Sequence, residues 1–157
     1  MKIALTGASG LLGRWIARAA MAAGHDIDPL PGWRLGQPVD LTGKDALIHA
    51  AFQHAPGRYR GGEGDDPDGF VQANLQGTLD LFQSARDQGV GRVVFLSSRA
   101  VHDGHDPGTD LTDNLPPAPI NLYGEVKAQA EAVLAQMAGA DFRTASLRPT
   151  GVFGPGK

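Results

Sequence analysis

The segment between the first predicted strand and the first predicted helix constrains the fold most. The apolar run Lys2–Thr6 has the length of a short buried strand, and an apolar pattern with helical spacing follows from Leu11. Gly7, Gly10 and Gly13 occupy the turn between them. A turn of this kind lets backbone N–H groups and a helix N-terminus face a pyrophosphate, although a glycine-rich turn without a ligand is the alternative. The pattern therefore predicts a strand–turn–helix unit with a dinucleotide site at its turn.

The rest of the chain alternates between strand-like and helix-like segments. Further strands are expected at 26–30, 46–51, 92–96 and 144–147. Apolar residues recur at helical spacing over 70–82 and 126–137, and Gly24 and Gly89 are placed to end the first two helices. This alternation predicts an α/β fold with a parallel sheet and crossover helices on its faces.

Length and composition limit the function classes. A chain of 157 residues is long enough for one domain with a real core, so residues 1–157 are expected to form a single unit. A net charge of −3 without a basic stripe argues against nucleic acid as a partner. No apolar run reaches the length of a membrane span, and there is no cysteine for disulfides or thiolate metal sites. We therefore expect a cytoplasmic protein. A homo-oligomer is compatible with these features.

A tyrosine and a lysine lie one helical turn apart near the end of the chain. Tyr123 and Lys127 are separated by four residues, and Ser97 and Ser98 follow the strand that ends about 25 residues upstream. A free tyrosine titrates near pH 10, so it needs a neighbouring positive charge before it can act as a base near neutrality. The spacing supplies such a charge, and the three side-chain types together can move a proton.

The adenosine side of the predicted site is less regular. The acidic residue that usually binds the ribose should end the second strand, but a proline and a glycine stand there. Asp28 comes slightly early and Arg34 slightly late, and Arg34 could meet a 2′-phosphate, which favours NADP over NAD. Asp40 and Leu41 are candidates to complete the adenine pocket, with a plain turn as the alternative.

Several motifs occur together and in order along the chain. They are residues 6–13, 49–51, Asn74 with 77–78, 96–101, Tyr123 with Lys127, and 148–156. Jointly they resemble the extended short-chain dehydrogenase/reductase family, and most closely its NAD-dependent epimerase/dehydratase branch. The resemblance implies a Rossmann-type doubly wound parallel sheet with helices on both faces. It also implies a nicotinamide cofactor, NAD or NADP, and often a nucleotide-sugar substrate.

The resemblance assigns roles to individual residues. It makes Tyr123 the catalytic acid/base, Lys127 its activator and Ser98 the hydroxyl that holds the reacting oxygen, with Ser97 as the alternative. The cofactor contacts that it implies are Gly7, Ser9, Gly10, Leu11, Leu12, Gly13, Arg34, Asp40, Leu41, Ala50, Ala51, Asn74, Ser97, Tyr123, Lys127 and Pro149. The substrate contacts are Ser98, Arg99 and His102. The implied reaction is hydride transfer at a hydroxyl or carbonyl carbon.

Two departures from the family pattern qualify these expectations. Only about fifteen residues separate the second strand from Ala46, so that edge of the sheet should be reduced. The chain stops at Lys157, where the family continues, so we expect a cofactor-binding part whose substrate lobe is absent or truncated. A regulatory module that senses NADP and binds a protein partner without turnover is therefore the alternative function.

Two further groups of side chains have weaker interpretations. His102 and His105 lack the carboxylate or cysteine arrangement of a zinc site, so no metal is expected. Arg58 and Arg60 lie in a glycine-rich loop, where they face water or an anionic substrate.

Overall fold

The computed structural model describes residues 1–54 and 63–154, and Arg58 and Arg60 lie outside these residues. Five strands alternate with four α-helices in this part of the chain. The strands are β1 (Lys2–Thr6), β2 (Asp26–Asp28), β3 (Ala46–His49), β4 (Arg92–Leu96) and β5 (Arg143–Leu147). The α-helices are α1 (Leu11–Ala22), α2 (Pro67–Val71), α3 (Gly77–Asp87) and α4 (Leu122–Met137). A π-helical turn (Gln72–Gln76) joins α2 to α3, and a 3₁₀ turn (Arg99–His102) follows β4.

The five strands form one parallel sheet in the order β2-β1-β3-β4-β5. The chain moves from β1 to β2 on one side and then returns to place β3 on the other side of β1. The strand order therefore reverses between β1 and β3, and ligands of open α/β sheets bind outside the carboxyl ends of the strands at such a point. The predicted doubly wound parallel sheet is confirmed.

The main core lies between one face of the sheet and the pair α3 and α4. Alternate residues of adjacent strands meet there, since Ala4 pairs with Leu47 and Leu47 with Val93 in the parallel register. The helices contribute Leu81, Phe82, Ala130 and Leu134 to the same cluster. Ile3 and Leu5 are also buried, but they alternate to the opposite face, against which α1 packs. Helices thus cover both faces of β1.

The helix predicted over 70–82 has an interruption that the apolar pattern did not reveal. Asp66 caps α2 by accepting a hydrogen bond from the Gly69 N–H, and the helix then widens into the π-helical turn before α3 continues to Asp87. Asn74, in this turn, is 1% exposed. Such π-helical turns often occur at functional sites because they shift a side chain relative to the regular helix.

Two strands end earlier than the sequence pattern suggests. β2 stops at Asp28 rather than residue 30, because the Asp28 carboxylate accepts a hydrogen bond from the Leu30 N–H and Leu30 adopts a φ of 47°. β3 stops at His49 rather than residue 51. The Ala50 N–H shares its hydrogen bond between the Thr6 carbonyl and the Thr6 hydroxyl, and the Ala51 N–H donates to the hydroxyl. In both places a side-chain acceptor competes with the sheet ladder.

The connection from β2 to β3 contains no helix or strand within its described residues, 29–45, which confirms the reduced edge. Hydrogen bonds from a glutamine side chain hold this connection where there is no strand pairing. The Gln88 amide accepts from the Leu41 N–H at 2.7 Å and donates to the Val39 carbonyl at 3.0 Å. The Leu41 side chain enters the core with no exposed surface.

A substitution at Gly13 tests how closely α1 packs on the turn that precedes it. A Cβ at Gly13 would overlap the Gly7 carbonyl oxygen, whereas a Cβ at Gly139 would meet no atom within 4 Å. We expect Gly13→Ala to lower the free energy of unfolding by about 1–3 kcal/mol, as overpacking does in other cores. Urea unfolding measures the change. Gly139→Ala is the control, and an equal effect of the two substitutions would contradict the close packing.

Candidate active site

The glycine turn after β1 packs against the end of β3. Gly7 adopts a φ of +70°, and a Cβ there would lie 2.7 Å from the Ala51 nitrogen. Glycine is therefore required both for the turn and for the close approach. Gly10, which has no side chain, stands at the N-cap of α1, and the first N–H groups of a helix have no carbonyl partner within the helix. Backbone donors at a helix N-terminus suit a pyrophosphate, which fits the predicted cradle.

A cavity of about 490 Å³ opens beside this turn, where the strand order reverses. Its lining residues are Gly7, Ala8, Ser9, Leu30, Gly32, Trp33, Arg34, Leu35, Ala51, Phe52 and Gln53. Four predicted cofactor contacts, Gly7, Ser9, Arg34 and Ala51, are among them. The loop after β2 forms the opposite wall, and it carries the exposed Arg34 to the mouth of the cavity.

The acidic candidates on this side have local partners. The Asp28 carboxylate pairs with the Lys44 ammonium at 2.6 Å, and that hydrogen bond lowers the pKa of Asp28. Asp40 is exposed, and its carboxylate accepts from the Thr42 N–H at 2.9 Å, which lowers the pKa of Asp40. Neither carboxylate lines the 490 Å³ cavity. Leu41 does not line it either, because its side chain is buried in the core and its N–H donates to Gln88.

A buried chain of hydrogen bonds connects β1, β3 and α3 beneath the cavity. The Thr6 hydroxyl oxygen accepts from the N–H groups of Ala50 and Ala51, both at 3.1 Å. These two bonds fill its lone pairs, so the hydroxyl must donate its own proton to His49 Nδ1, 2.7 Å away. His49 therefore carries its proton on Nε2 and donates to the Thr78 hydroxyl at 3.0 Å.

The ring of His49 is fixed on its faces as well as at its nitrogens. It is 1% exposed, stacks on Phe95 and meets the edge of Phe82. Burial lowers the pKa of His49 to about 3, and the nearby Lys127 charge adds to this effect. His49 is therefore neutral at physiological pH and acts as a fixed connection rather than a proton carrier.

The Lys127 ammonium group is almost completely shielded from solvent, which is unusual for a charged group. Its side chain is 3% exposed, and Nζ donates a hydrogen bond to the Leu96 carbonyl at 2.6 Å. The centres of the Phe52 and Phe95 rings lie 4.4 and 4.5 Å from Nζ. Burial lowers the pKa of Lys127 to about 7, while Glu131 acts in the opposite direction.

Tyr123 opens α4 on the same helix face. Its ring centre is 6.0 Å from Lys127 Nζ, and it also contacts Phe52 and His54 at centroid distances of 5.0 and 5.9 Å. Asn121 caps the helix by accepting from the Gly124 N–H at 2.8 Å. These contacts place a half-buried phenol one turn from a buried amine.

The two candidate serines differ in their surroundings. Ser98 is half-buried, and its hydroxyl accepts from the Ala100 N–H at 3.1 Å, which caps the 3₁₀ turn. A Cβ at Gly124 would lie 2.6 Å from the Ala100 carbonyl, so the first turn of α4 packs closely on this turn. Ser97 is 4% exposed, and its hydroxyl has no hydrogen-bond partner among the described residues. Both serines lie at the carboxyl end of β4, as the sequence predicts.

Asn74 acts on the backbone beside the cavity. Its side-chain oxygen accepts from the Gln53 N–H at 2.7 Å, and its amide nitrogen donates to the Gln53 carbonyl at 2.8 Å. The same nitrogen donates to the Phe70 carbonyl at 3.1 Å. The residue thus clamps the segment after β3 to the π-helical turn.

Two of the three predicted substrate contacts adjoin a second cavity, of about 560 Å³, beside β5, whereas Ser98 is not in its lining. Arg99 and His102 line it together with Arg148. Arg148 binds the Glu131 carboxylate through Nε and Nη2 and donates from Nη1 to His102 Nε2 at 2.8 Å. Because a guanidinium only donates, His102 carries its proton on Nδ1, which is buried without a partner among the described residues. Burial lowers the pKa of His102.

Two other predicted contacts have structural roles. Pro149 accepts a hydrogen bond from the Arg99 N–H at 3.0 Å, and Ala50 donates to Thr6. Leu11, Leu12 and Gly13 form the first turn of α1.

Within 1–54 and 63–154, no group of three histidines or acidic residues is arranged to hold a metal ion. No helix among these residues is long and apolar enough to cross a membrane.

Several residues of the site escaped the sequence analysis. They are Thr6 and Thr78 of the buried hydrogen-bond chain, and Leu30, Trp33, Leu35, Phe52 and Gln53 of the cavity wall. Three of them had a usable signal, since Thr6 and Thr78 stand within the motifs of residues 6–13 and 77–78, and Phe52 directly follows the predicted contact Ala51. The others depend on contacts between distant segments.

Comparison with known proteins gives relatives with more than one activity. The chain is 31% identical to 2-alkyl-3-oxoalkanoate reductase of Stenotrophomonas maltophilia, with 99% of this chain and 52% of the relative covered. It is 27% identical to UDP-glucose 4-epimerase of Corynebacterium glutamicum, with 89% and 47% covered. The chain thus spans about half the length of these relatives.

A solved structure agrees in fold over nearly the whole chain. RMD from Pseudomonas aeruginosa, complexed with NADPH, superposes with a TM-score of 0.81 at 28% identity, covering 99% of this chain and 55% of that one. A family model described as the NAD dependent epimerase/dehydratase family matches residues 3–157. The chain belongs to the NAD dependent epimerase/dehydratase family.

Proposed function

We propose that this chain binds NAD or NADP in the crevice between β1 and β3. We further propose that it takes part in hydride transfer at a hydroxyl or carbonyl carbon of a sugar or nucleotide-sugar-like substrate. The observation that carries the proposal is the approach of buried Lys127 Nζ to within 6.0 Å of the Tyr123 ring centre at the carboxyl end of the sheet. Relatives that include a reductase, an epimerase and a structure complexed with NADPH support the reaction class.

The residues around the crevice fit a dinucleotide. Gly7, Ala8 and Ser9 line the cavity, and the N-terminus of α1 offers backbone donors for the pyrophosphate. Arg34, at the cavity mouth, would meet a 2′-phosphate, which is the basis of the preference for NADP. When bound, the nicotinamide supplies or accepts the hydride.

The side chains at the other end of the crevice would handle the proton. Tyr123 would exchange it with the substrate oxygen, and a protonated Lys127 nearby favours the ionised phenol. The Ser98 oxygen already accepts from the Ala100 N–H, so its own proton remains for donation to the reacting oxygen. Ser97, whose hydroxyl is buried and unpartnered in the described structure, is the alternative donor.

The substrate would bind beyond Tyr123, towards β5. Arg99 and His102 border the 560 Å³ cavity there, and we propose that they contribute to substrate binding. His102 would act mainly through its position, because its ring is held against Arg148.

A Tyr123→Phe substitution separates binding from chemistry. We expect the variant to bind NADPH with unchanged affinity by cofactor fluorescence, because the aromatic ring and its neighbours are retained. Turnover with a panel of sugar nucleotides should fall about 10²–10⁴-fold, the usual contribution of a positioned acid or base. Wild-type turnover by the variant would contradict the acid/base role. Binding without turnover by either protein would instead favour the regulatory NADP-sensing module.

Arg34→Gln tests the choice between NADP and NAD. We expect affinity for NADPH to fall about tenfold, equivalent to about 1.4 kcal/mol, with little change for NADH, because only NADPH carries the extra phosphate. Fluorescence titration of both cofactors measures this. Arg86→Gln on the exposed side of α3 is the matched control. Much tighter binding of NADH than NADPH by the wild-type protein would overturn the preference.

The lowered pKa of Lys127 predicts a pH-dependent stability. Between its folded pKa of about 7 and the ordinary lysine value near 10.4, the unfolded chain holds a proton that the folded chain has released. Raising the pH from 7 to 9 should therefore stabilise the wild-type protein relative to Lys127→Met, by about 1 kcal/mol per pH unit. Urea unfolding of both proteins across this range measures the difference. Parallel stability profiles would show that Lys127 keeps an ordinary pKa.

A further inference from the structure

Lys127 is enclosed by two aromatic rings that come from different strand ends. Phe95, at the end of β4, is 2% exposed and belongs to the core. Phe52, three residues after β3, is half-buried and lines the 490 Å³ cavity. Of these two rings, only Phe52 separates the ammonium group from the space that we assign to the dinucleotide.

We propose that Phe52 is a positioning residue for Lys127. Its ring closes the ammonium site towards the cavity and keeps Nζ against the Leu96 carbonyl, beside the ring of Tyr123. The inference rests on the proposed function for the catalytic meaning of Lys127. The contact of the Phe52 ring with the Lys127 ammonium group does not depend on that function, because it is present in the folded chain.

The position of Phe52 is set by Asn74 and the π-helical turn. Asn74 holds both backbone groups of Gln53, the next residue, in the manner of a short strand pairing. Phe70, on the preceding turn of the helix, meets the edge of the Phe52 ring at 5.5 Å. A regular helix would place the amide of Asn74 differently. The interruption of the helix therefore serves the placement of Phe52.

Among residues 1–54 and 63–154, no acidic side chain forms an ion pair with Lys127. Glu131, one turn further along α4, is held by three hydrogen bonds from Arg148. His49, at the end of β3, and His54, in the segment that follows, are near Lys127. Burial lowers the pKa of both histidines, and the Lys127 charge adds to this effect. Tyr123 approaches from α4 itself, and β4 contributes the Leu96 carbonyl.

Exclusion of water is consequently the main effect of Phe52. The attraction of an aromatic face for a cation offsets only part of the cost of removing an ammonium group from water. Removing the ring would admit water from the cavity side and would favour the charged amine. The protonation of Lys127 should therefore follow the presence of this ring.

The direct test is an NMR titration of the ligand-free chain with ¹³C-labelled lysine side chains. The sequence has four lysines, Lys2, Lys44, Lys127 and Lys157, and Lys127→Met identifies the signal of interest. In Phe52→Ala we expect the Lys127 midpoint to rise by about one pH unit or more, towards the ordinary lysine value. Phe52→Tyr, which keeps the ring, should leave it unchanged.

Leu35→Ala is the matched control, because Leu35 is another apolar residue of the cavity wall and lies in the loop after β2. Its Lys127 midpoint should equal that of the wild-type protein. An unchanged or lowered midpoint in folded Phe52→Ala would overturn the proposal, as would an equal rise in Leu35→Ala. If Phe52→Ala does not fold, Phe52→Val retains an apolar side chain and provides the same test.

The result is independent of catalysis. The titration needs neither cofactor nor substrate. Failure to bind NADPH or NADH would refute the proposed function, but the Lys127 midpoint in Phe52→Ala would still decide the role of Phe52. Conversely, an unchanged midpoint beside normal NADPH binding would reject the role of Phe52 alone.

Discussion

The buried hydrogen-bond chain from Thr6 through His49 to Thr78 is the interaction on which the site depends. It connects β1, β3 and α3 at the point where the sheet changes direction, and its threonine hydroxyl also accepts from the first two N–H groups beyond β3. The segment beyond β3 can then turn along the crevice and carry Phe52 towards α4. A neutral imidazole suits this position because it donates at one nitrogen and accepts at the other, so no buried charge is left uncompensated.

The same region must also accommodate the buried amine of Lys127. A buried ammonium group is costly unless its hydrogen-bonding and electrostatic needs are met nearby. Here the Leu96 carbonyl and two ring faces meet part of that need, and a pKa of about 7 allows the group to lose its charge near neutrality. Glu131 lies one helical turn further along α4, but its carboxylate is bound by Arg148. The amine is thus close to Tyr123 and sensitive to whatever changes its contact with water.

Much of the fold could be predicted from local sequence patterns. β1 and β4 have the predicted bounds, because each is a short apolar run followed by a turn, at Gly7 after β1 and at the 3₁₀ turn after β4. The errors occur where a side chain captures backbone groups, as Asp28 does at β2 and Thr6 does at β3. Leu41 illustrates a related limit, since its motif suggested the adenine pocket while its side chain fills the core in a connection too short for a helix. The π-helical turn left no trace in the apolar spacing.

The sequence by itself determined the order of strands and helices, the need for glycine at positions 7 and 13, and the pairing of Tyr123 with Lys127. These features depend on periodicity, backbone sterics and separations of a few residues, all of which are local. Only the tertiary structure decided that Phe52 covers Lys127, that Asn74 holds Gln53, and that His49 connects two threonines 72 positions apart in the chain. Such contacts join segments that are tens of residues apart in the chain. The register of the parallel sheet and the packing of α3 and α4 against it determine which residues meet, and no local sequence pattern specifies either of these.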